Sequence, residues 1–226
     1  ASFLQNFFSQ PQNKGANITV PFKQLAWQHV NKRSHAAELS GAVNTIIREP
    51  DGKLFGDNTD GLGLLNDLVN NLQLELKDKK ILIIGAGGAA RGIIQSLSCA
   101  QLFIVNRTTE KAHQLAEQFK EFANITGCGF DQVPSTPFDL IVNATSAGFE
   151  QTIPPLMEKT INENTVCYDL VYGEAAKFWL AWCQQQGAKS CHDGLGMLVE
   201  QAALAFKLWH GIMPETKPVI ESLRES

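Results

Sequence analysis

The stretch KKILIIGAGGAARGIIQSLS, residues 79–98, predicts a buried β-strand that passes through a glycine turn into an α-helix. Its aliphatic run, ILII, is typical of a strand covered on both faces, as in a parallel sheet. Gly85, Gly87 and Gly88 would let a pyrophosphate approach the backbone where the helix begins. A glycine turn alone can be purely structural, but a strand before it and a helix after it favour a dinucleotide-binding unit.

The segments that follow continue the alternation of strand and helix. Such alternation predicts a parallel sheet with helices on its faces, connected by right-handed crossovers. The predicted strands lie in QLFIVNRT, FDLIVNAT and TVCYDLVY. The predicted helices lie in TEKAHQLAEQFKEF, with apolar residues at 112, 115, 116 and 119, and in KFWLAWCQQQG, which ends at Gly187.

The two ends of the chain predict a second, smaller lobe. ASFLQNFFSQ has helical spacing, and Pro21 of GANITVPFK is typical of the first residue of a helix. AVNTIIRE and KLFGDN are predicted strands joined by a turn at residues 50–52. An apolar helix is predicted over residues 194–210. Its expected buried side consists of Leu195, Leu198, Val199, Ala202, Phe206 and Trp209.

The sequence thus predicts an α/β protein with two lobes. A Rossmann-like lobe with a parallel sheet would bind the dinucleotide and span residues 59–193. A smaller α/β lobe, built from residues 1–58 and 194–226, would bind the substrate. The cleft between the two lobes would then hold the active site.

Composition narrows the class of protein. With 19 Lys and Arg against 23 Asp and Glu, the net charge of −4 indicates neither a nucleic-acid partner nor an anionic membrane. No apolar run approaches the roughly 18 residues of a membrane-spanning helix. The five cysteines form no CxxC pair and are expected to be reduced thiols in a cytoplasmic protein, and the five histidines form no metal-binding pattern. Composition leaves monomer and homodimer both open.

The residues after the second predicted strand indicate which dinucleotide binds. Enzymes that use NAD usually place Asp or Glu there, on the ribose hydroxyls. Here the residues are Asn106, Arg107 and Thr108, with Lys111 one turn further on. Two cations beside a helix start are mildly unfavourable alone, whereas a bound 2′-phosphate would make them favourable. The sequence therefore predicts NADP as the cofactor; the alternative is a solvated basic surface.

A second unexpected cation is Lys23, directly after the predicted helix start at Pro21. The helix dipole disfavours a cation there, so the lysine would need a nearby carboxylate to hold it. GDNTDG supplies Asp57 and Asp60 where the cleft is expected. A lysine poised near a carboxylate suits a group that exchanges protons with a substrate oxygen. Taken singly, these residues also fit a solvated charge and an ordinary turn or helix cap.

Together, the motifs GANITVPFK, GAVNT, GDNTDG, GAGGAAR, NRT, NATSAG and DGLGMLVEQAA closely resemble the shikimate dehydrogenase family, in its order and at similar spacings. The resemblance implies reversible, NADPH-dependent reduction of 3-dehydroshikimate to shikimate, a step of chorismate and aromatic amino-acid biosynthesis. It implies a catalytic pair in which Lys23 stands at the reacting oxygen and Asp60 orients it. The implied substrate contacts are Thr19, Asn44, Asp60, Tyr172 and Gln201.

The resemblance also implies the NADP contacts. They are Gly85, Ala86, Gly87, Gly88 and Ala89 at the pyrophosphate, Asn106, Arg107, Thr108 and Lys111 at the adenosine ribose phosphate, Thr145 near the ribose, and Leu170 and Gly194 at the nicotinamide. Two features depart from the family's pattern. Lys111 stands where relatives often carry arginine, and GEAAKFW lacks the threonine that many relatives carry after the tyrosine.

Two alternatives stay open. A quinate/shikimate dehydrogenase that uses NAD would favour an acidic residue where Arg107 stands. A module that binds NADP without turnover is the second, because the family begins with a strand and a loop whose two serines hold the substrate carboxylate. No residue of this chain matches those serines, so we expect a further segment before Ala1 in the parent protein.

Overall fold

The computed structural model describes residues 2–145, 152–156 and 158–225. The first third of the chain forms a four-stranded sheet, the smaller sheet, in the order β1-β3-β4-β2. The β3–β4 hairpin is antiparallel, as predicted, and its turn contains Gly52 in the left-handed region at φ +83°. The strands are β1 (Gly15–Asn17), β2 (Lys32–Arg33), β3 (Thr45–Arg48) and β4 (Leu54–Asp57).

Along the chain, short helices precede, separate and follow the strands of the smaller sheet. The predicted opening helix is confirmed, whereas the helix expected to begin at Pro21 begins at Lys23. A turn precedes it, closed by the Phe22 N–H that donates to the Thr19 carbonyl at 2.9 Å, and the Val20–Pro21 peptide is cis. The helices are α1 (Ser2–Ser9), α2 (Lys23–His29), α3 (His35–Ser40) and α4 (Asp60–Asn66), which continues as one π-helical turn to Asn71.

The larger sheet has six parallel strands in the order β10-β9-β8-β5-β6-β7, a doubly wound arrangement that confirms the predicted Rossmann-like class. The four strands predicted from apolar runs are present. Two edge strands were not predicted, because both mix polar with apolar residues and β10 has only three residues. The strands are β5 (Lys80–Ile84), β6 (Gln101–Val105), β7 (Asn124–Cys128), β8 (Leu140–Asn143), β9 (Val166–Asp169) and β10 (Ser190–His192).

Helices cover both faces of the larger sheet. The predicted apolar side of one of them is confirmed, since Ala112, Leu115, Ala116 and Phe119 are all buried. The helix predicted from Lys177 begins earlier, at Glu174, and ends just before Gly187, as expected. The helices are α5 (Gly88–Ile93), α6 (Thr109–Phe119), α7 (Glu174–Gln185), α8 (Leu195–His210) and α9 (Lys217–Glu225).

The predicted buried side of α8 is wrong in part. Leu198 and Phe206 are 36% and 41% exposed, and Ala202 is exposed as well. Val199 is buried as predicted, and the other buried residues of α8 are Gly196, Glu200, Ala203 and Ala205. Small side chains lie on this face because α8 packs closely against α4.

The last long helix connects the two sheets. Near its end, Trp209 donates from Nε1 to the Ile46 carbonyl of β3 at 3.0 Å, so this helix packs on the smaller sheet. The smaller lobe is therefore built from both ends of the chain, as predicted. Within the described ranges, no helix is long and apolar enough to cross a bilayer.

Candidate active site

A cleft of about 680 Å³ is lined by residues from both lobes. It lies at the carboxyl ends of the strands of the larger sheet, where open α/β sheets bind their ligands. All of the residues predicted to bind or convert the substrate line it, together with four of those predicted to bind the cofactor. They are Thr19, Lys23, Asn44, Asp60, Tyr172 and Gln201, and then Gly88, Ala89, Leu170 and Gly194.

The predicted catalytic pair is in direct contact. Lys23 is the first residue of α2 and Asp60 the first of α4, and Lys23 Nζ donates to Asp60 Oδ2 at 2.6 Å. Their side chains are 26% and 14% exposed, so the ammonium can still reach a ligand in the cleft. A cation at a helix start is thus held by a carboxylate, which offsets the unfavourable dipole.

A buried amide fixes the carboxylate. Asn44 is 2% exposed and donates from Nδ2 to Asp60 Oδ1 at 2.8 Å. Its Oδ1 accepts from the Thr59 N–H and from Thr45 Oγ1, both at 2.9 Å. Both oxygens of Asp60 therefore have a donor, and the carboxylate is held in one orientation. Thr59 was not predicted individually, although it lies inside the GDNTDG motif.

The remaining predicted substrate contacts surround this pair. Gln201 reaches the cleft from α8, where its Nε2 donates to the Leu198 carbonyl at 2.8 Å and its backbone carbonyl accepts from Thr59 Oγ1 at 3.1 Å. Thr19 and Tyr172 are exposed at the cleft wall. Asn17, Gln24 and Met197 also line the cleft and were not predicted. Hydroxyls and amides on several sides of one ammonium suit a polyhydroxylated ligand.

The glycine turn has the shape that a pyrophosphate needs. Gly85 has φ +107°, and a Cβ there would lie 3.1 Å from the Ala144 carbonyl oxygen, so glycine is required for conformation and for space. A Cβ on Gly87 or Gly88 would meet nothing within 4 Å, which leaves the backbone open before α5. Ala86 and Ala89 lie in the same turn, half-buried and exposed respectively. These residues fit the predicted dinucleotide.

The predicted adenosine contacts lie beyond the cleft, after β6. Asn106 Nδ2 donates to the Thr108 carbonyl at 3.0 Å, which shapes the loop. Arg107 and Lys111 are exposed, and neither makes an ion pair with another residue of the described ranges. Two exposed cations without an ion pair in the described ranges, close to the glycine turn, suit a bound 2′-phosphate.

The predicted nicotinamide side is closely packed. A Cβ on Gly194 would lie 2.4 Å from the Leu170 carbonyl oxygen, so only glycine lets the start of α8 approach the loop after β9. Thr145 follows β8, and its methyl lies 3.1 Å from a Cβ placed on Gly85. Residues 146–148 of the NATSAG motif lie outside the described residues.

Several buried polar side chains behind the cleft were not predicted. Asn143 and Asp169 end β8 and β9, and burial raises the pKa of the Asp169 carboxyl to about 6. Tyr168 donates to Asp67 at 2.7 Å, and burial raises the pKa of this phenol. Glu200, on the buried side of α8, accepts from Thr216 at 2.6 Å. The available signal was a polar residue within or at the end of an apolar run.

In the part of the chain that the structure describes, no group of three or more His, Cys, Asp or Glu residues could hold a metal ion. The polar groups that line the cleft include the lysine, the carboxylate, and the amides and hydroxyls around them.

Three family models match the chain. They are described as the shikimate dehydrogenase substrate binding domain, over residues 1–46, shikimate/quinate 5-dehydrogenase, over residues 67–166, and the shikimate 5′-dehydrogenase C-terminal domain, over residues 194–224. Together they reach from the smaller lobe through the larger sheet to the last two helices.

Solved structures agree with the family models. An Ael1 enzyme from Pseudomonas putida is 37% identical, with a TM-score of 0.90, and the match covers 98% of this chain and 82% of that one. A shikimate dehydrogenase in complex with NADP+ is 33% identical, with a TM-score of 0.87, over 99% and 80% of the two chains. Shikimate 5-dehydrogenase from Listeria monocytogenes, in complex with shikimate and NAD, is 26% identical, with a TM-score of 0.83, over 98% and 81%.

Proposed function

Because this chain belongs to the shikimate dehydrogenase family, we propose that it catalyses the reversible, NADPH-dependent reduction of 3-dehydroshikimate to shikimate. The observation that carries the proposal is the contact between Lys23 and Asp60, held by Asn44 inside the cleft. An ammonium that is oriented from behind and open in front can donate a proton to a substrate oxygen.

Lys23 would move the proton. In the reductive direction, its Nζ donates a proton to the carbonyl oxygen of the substrate and so neutralises the alkoxide that would otherwise form. In the oxidative direction, the neutral amine takes the hydroxyl proton back. Asp60 accepts the hydrogen bond from the amine, orients it and stabilises the ammonium form. General acid–base groups of this kind contribute roughly 10²–10⁴-fold to rate.

NADPH, when bound, supplies the hydride that reduces the carbonyl carbon. This chain's residues would bind and orient it: the turn from Gly85 to Ala89 at the pyrophosphate, and Leu170 and Gly194 beside the nicotinamide. Thr145 would lie at the ribose, and the group from Asn106 to Lys111 would bind the 2′-phosphate. The exposed cations Arg107 and Lys111 support NADP over NAD, because an unmodified ribose offers them no anion.

The substrate side would recognise ring hydroxyls. Thr19, Asn44, Tyr172 and Gln201 present hydroxyl and amide groups around the cleft. Such groups donate and accept, and can therefore pair with a polyhydroxylated ring in a single orientation. Gln201 would have to give up its bond to the Leu198 carbonyl to turn its amide toward the ring.

The test is an absorbance assay of shikimate oxidation on protein whose intact mass has been verified, with NADP+ and NAD+ in parallel. We expect turnover of shikimate with NADP+, and a higher Michaelis constant for NAD+. Quinate is the second substrate to offer, and equal use of quinate with NAD+ would favour a quinate/shikimate dehydrogenase instead. NADPH binding without any turnover would identify the chain as a cofactor-binding module.

A further inference from the structure

Two fully buried polar residues face each other beneath the proposed nicotinamide site. Asn143 and Asp169 are opposite one another at the carboxyl ends of β8 and β9, and each is 0% exposed. Asn143 Nδ2 donates to Asp169 Oδ2 at 2.9 Å. A buried amide and carboxylate cost desolvation free energy, so their presence here calls for a role.

The pair holds two loops at once. On one side, Asn143 Oδ1 accepts from the Thr145 N–H at 3.1 Å and from Thr145 Oγ1 at 2.7 Å. On the other side, Asp169 Oδ1 accepts from the Val171 N–H at 2.9 Å. The Leu170 N–H donates to the Asn143 carbonyl at 3.0 Å. Thr145 and Leu170 are the residues assigned to the cofactor in these loops.

We propose that Asn143 and Asp169 are positioning residues that set the loops carrying Thr145 and Leu170 for the nicotinamide half of NADP(H). The proposal rests on the function proposed above, since it takes NADP(H) as the ligand. Neither side chain lines the cleft, and both are fully buried. Their effect passes through Thr145 on one side and through Val171, next to Leu170, on the other.

The donor and acceptor pattern of the pair is fully determined. Both oxygens of Asp169 accept from N–H groups. The side-chain oxygen of Asn143 accepts from Thr145, and its amide nitrogen donates to Asp169. In Asp169→Asn, either the two side-chain amide nitrogens face each other, or one of the two amides turns over and no longer accepts from the backbone N–H of its loop. Turning Asn143 releases Thr145, and turning the new amide releases Val171. Either way, a buried donor stays unpaired.

An exchange of the two residues should restore the pattern. In the double variant Asn143→Asp with Asp169→Asn, the carboxylate at 143 accepts from Thr145 and from the amide at 169. That amide in turn accepts from the Val171 N–H. Every hydrogen bond of the pair is then available again, with the charge moved from β9 to β8.

The experiment measures the binding of two probes to wild type, Asp169→Asn and the exchange variant. NADPH is titrated by its fluorescence, and 2′,5′-ADP, which carries the adenosine phosphates without a nicotinamide, by calorimetry. Asp139→Asn is the matched control. Asp139 also accepts a hydrogen bond from a backbone N–H, that of Lys80 at 2.8 Å, but it lies at the amino end of β8, away from Asn143 at the carboxyl end.

In Asp169→Asn we expect the NADPH dissociation constant to rise roughly tenfold, as it would if about one molecule in ten kept both loops in the binding position, with 2′,5′-ADP binding unchanged. The exchange variant should bind NADPH within about threefold of wild type, since its hydrogen bonds are restored. Asp139→Asn should match wild type for both probes.

Equal weakening of both probes in Asp169→Asn would overturn the proposal, because the defect would then be general. Unchanged NADPH binding, or an exchange variant as weak as the single variant, would overturn it too. A circular dichroism spectrum and melting temperature for each variant separate a failure to fold from a local effect, and the exchange variant decides if Asp169→Asn does not fold. Wild type that binds neither probe would count against the proposed NADP function itself.

Discussion

Arg107 is the residue on which cofactor choice should depend. Its guanidinium is exposed after β6 and makes no ion pair with the residues that the structure describes. One charged hydrogen bond is worth about 1.5–3 kcal/mol, so Arg107→Ala should raise the Michaelis constant for NADP+ roughly tenfold or more. The constant for NAD+ should hardly change.

Steady-state kinetics with both cofactors check this, and Lys120→Ala is the control. Lys120 is an exposed cation, and among the described residues its ion pair is with Glu117, three positions earlier. Its loss should affect neither constant. An equal loss with NADP+ and NAD+ in Arg107→Ala would show that the arginine does not read the 2′-phosphate.

Asp169 should give the stability of the fold a pH dependence. Burial raises the pKa of its carboxyl from 3.8 to about 6, although Val171 and Asn143 donate hydrogen bonds that lower it. The folded protein thus binds this proton more tightly than the unfolded chain. The contribution of Asp169 to stability is complete below about pH 4 and is lost as the pH rises through about 6. A shift of roughly two pKa units corresponds to about 3 kcal/mol.

Urea unfolding of wild type and Asp169→Asn between about pH 4 and pH 7 measures this. The free energy of unfolding of wild type relative to the variant should fall by up to about 3 kcal/mol across that range. Burial lowers the pKa of His192, so this residue changes the stability with pH in the opposite direction. Because His192 is present in both proteins, its contribution cancels in the difference between them. A constant difference would mean that Asp169 has an ordinary pKa.

Among the helices, the close packing of α4 against α8 places Gln201 in the cleft. A Cβ on Gly63 would lie 2.7 Å from Gln201 Cβ and 2.8 Å from its backbone nitrogen. Backbone atoms cannot move aside as a flexible side chain can. The overpacking should cost about 1–3 kcal/mol, and alanine gains back ~1 kcal/mol in helix propensity. Gly63→Ala should therefore lower the free energy of unfolding by up to about 2 kcal/mol.

The same variant should raise the Michaelis constant for shikimate, because Gln201 is displaced with α8. Leu62→Ala is the control, since Leu62 is the neighbouring residue and is 48% exposed. Its effect on stability should stay within about 0.5 kcal/mol. Chemical denaturation and shikimate kinetics on the two variants decide, and a Gly63→Ala protein as stable as wild type would show that the helices can separate without cost.

The α8 helix also shows where sequence reasoning fails. Its apolar residues predicted a buried side through Leu198 and Phe206, but these line the cleft or the surface. The buried side uses glycine and alanine for close approach and includes Glu200, whose carboxylate is bonded to Asn71 and Thr216. Hydrophobic periodicity cannot detect a face selected for small size or for paired charge.

Across the whole chain, the strongly patterned parts could be predicted and the others could not. The β5 strand and its glycine turn fixed the class of fold, because a buried aliphatic run before glycines has few alternatives. The edge strands β7 and β10 lack such a pattern. In the site, Lys23 and Asp60 lie 37 positions apart. The helix dipole predicted a carboxylate for Lys23 and left Asp57 and Asp60 both open, and the family resemblance selected Asp60. Asn143 and Asp169 gave no comparable signal, since their pairing depends on strand register.

Proton transfer by Lys23 is the step on which the proposed reaction depends most. The decisive measurement is the turnover of shikimate by Lys23→Ala, with the NADPH dissociation constant determined on the same sample. Lys32→Ala serves as control, since Lys32 forms an exposed pair with Glu49 away from the cleft. Asp60→Asn should also be impaired, and the double variant less than additively, because the pair acts as a unit.

We expect Lys23→Ala to lose roughly 10²–10⁴-fold in turnover while it binds NADPH within about twofold of wild type. Lys32→Ala should equal wild type in both measurements. Turnover by Lys23→Ala close to that of wild type would contradict the account, because the ion pair with Asp60 would then be structural only.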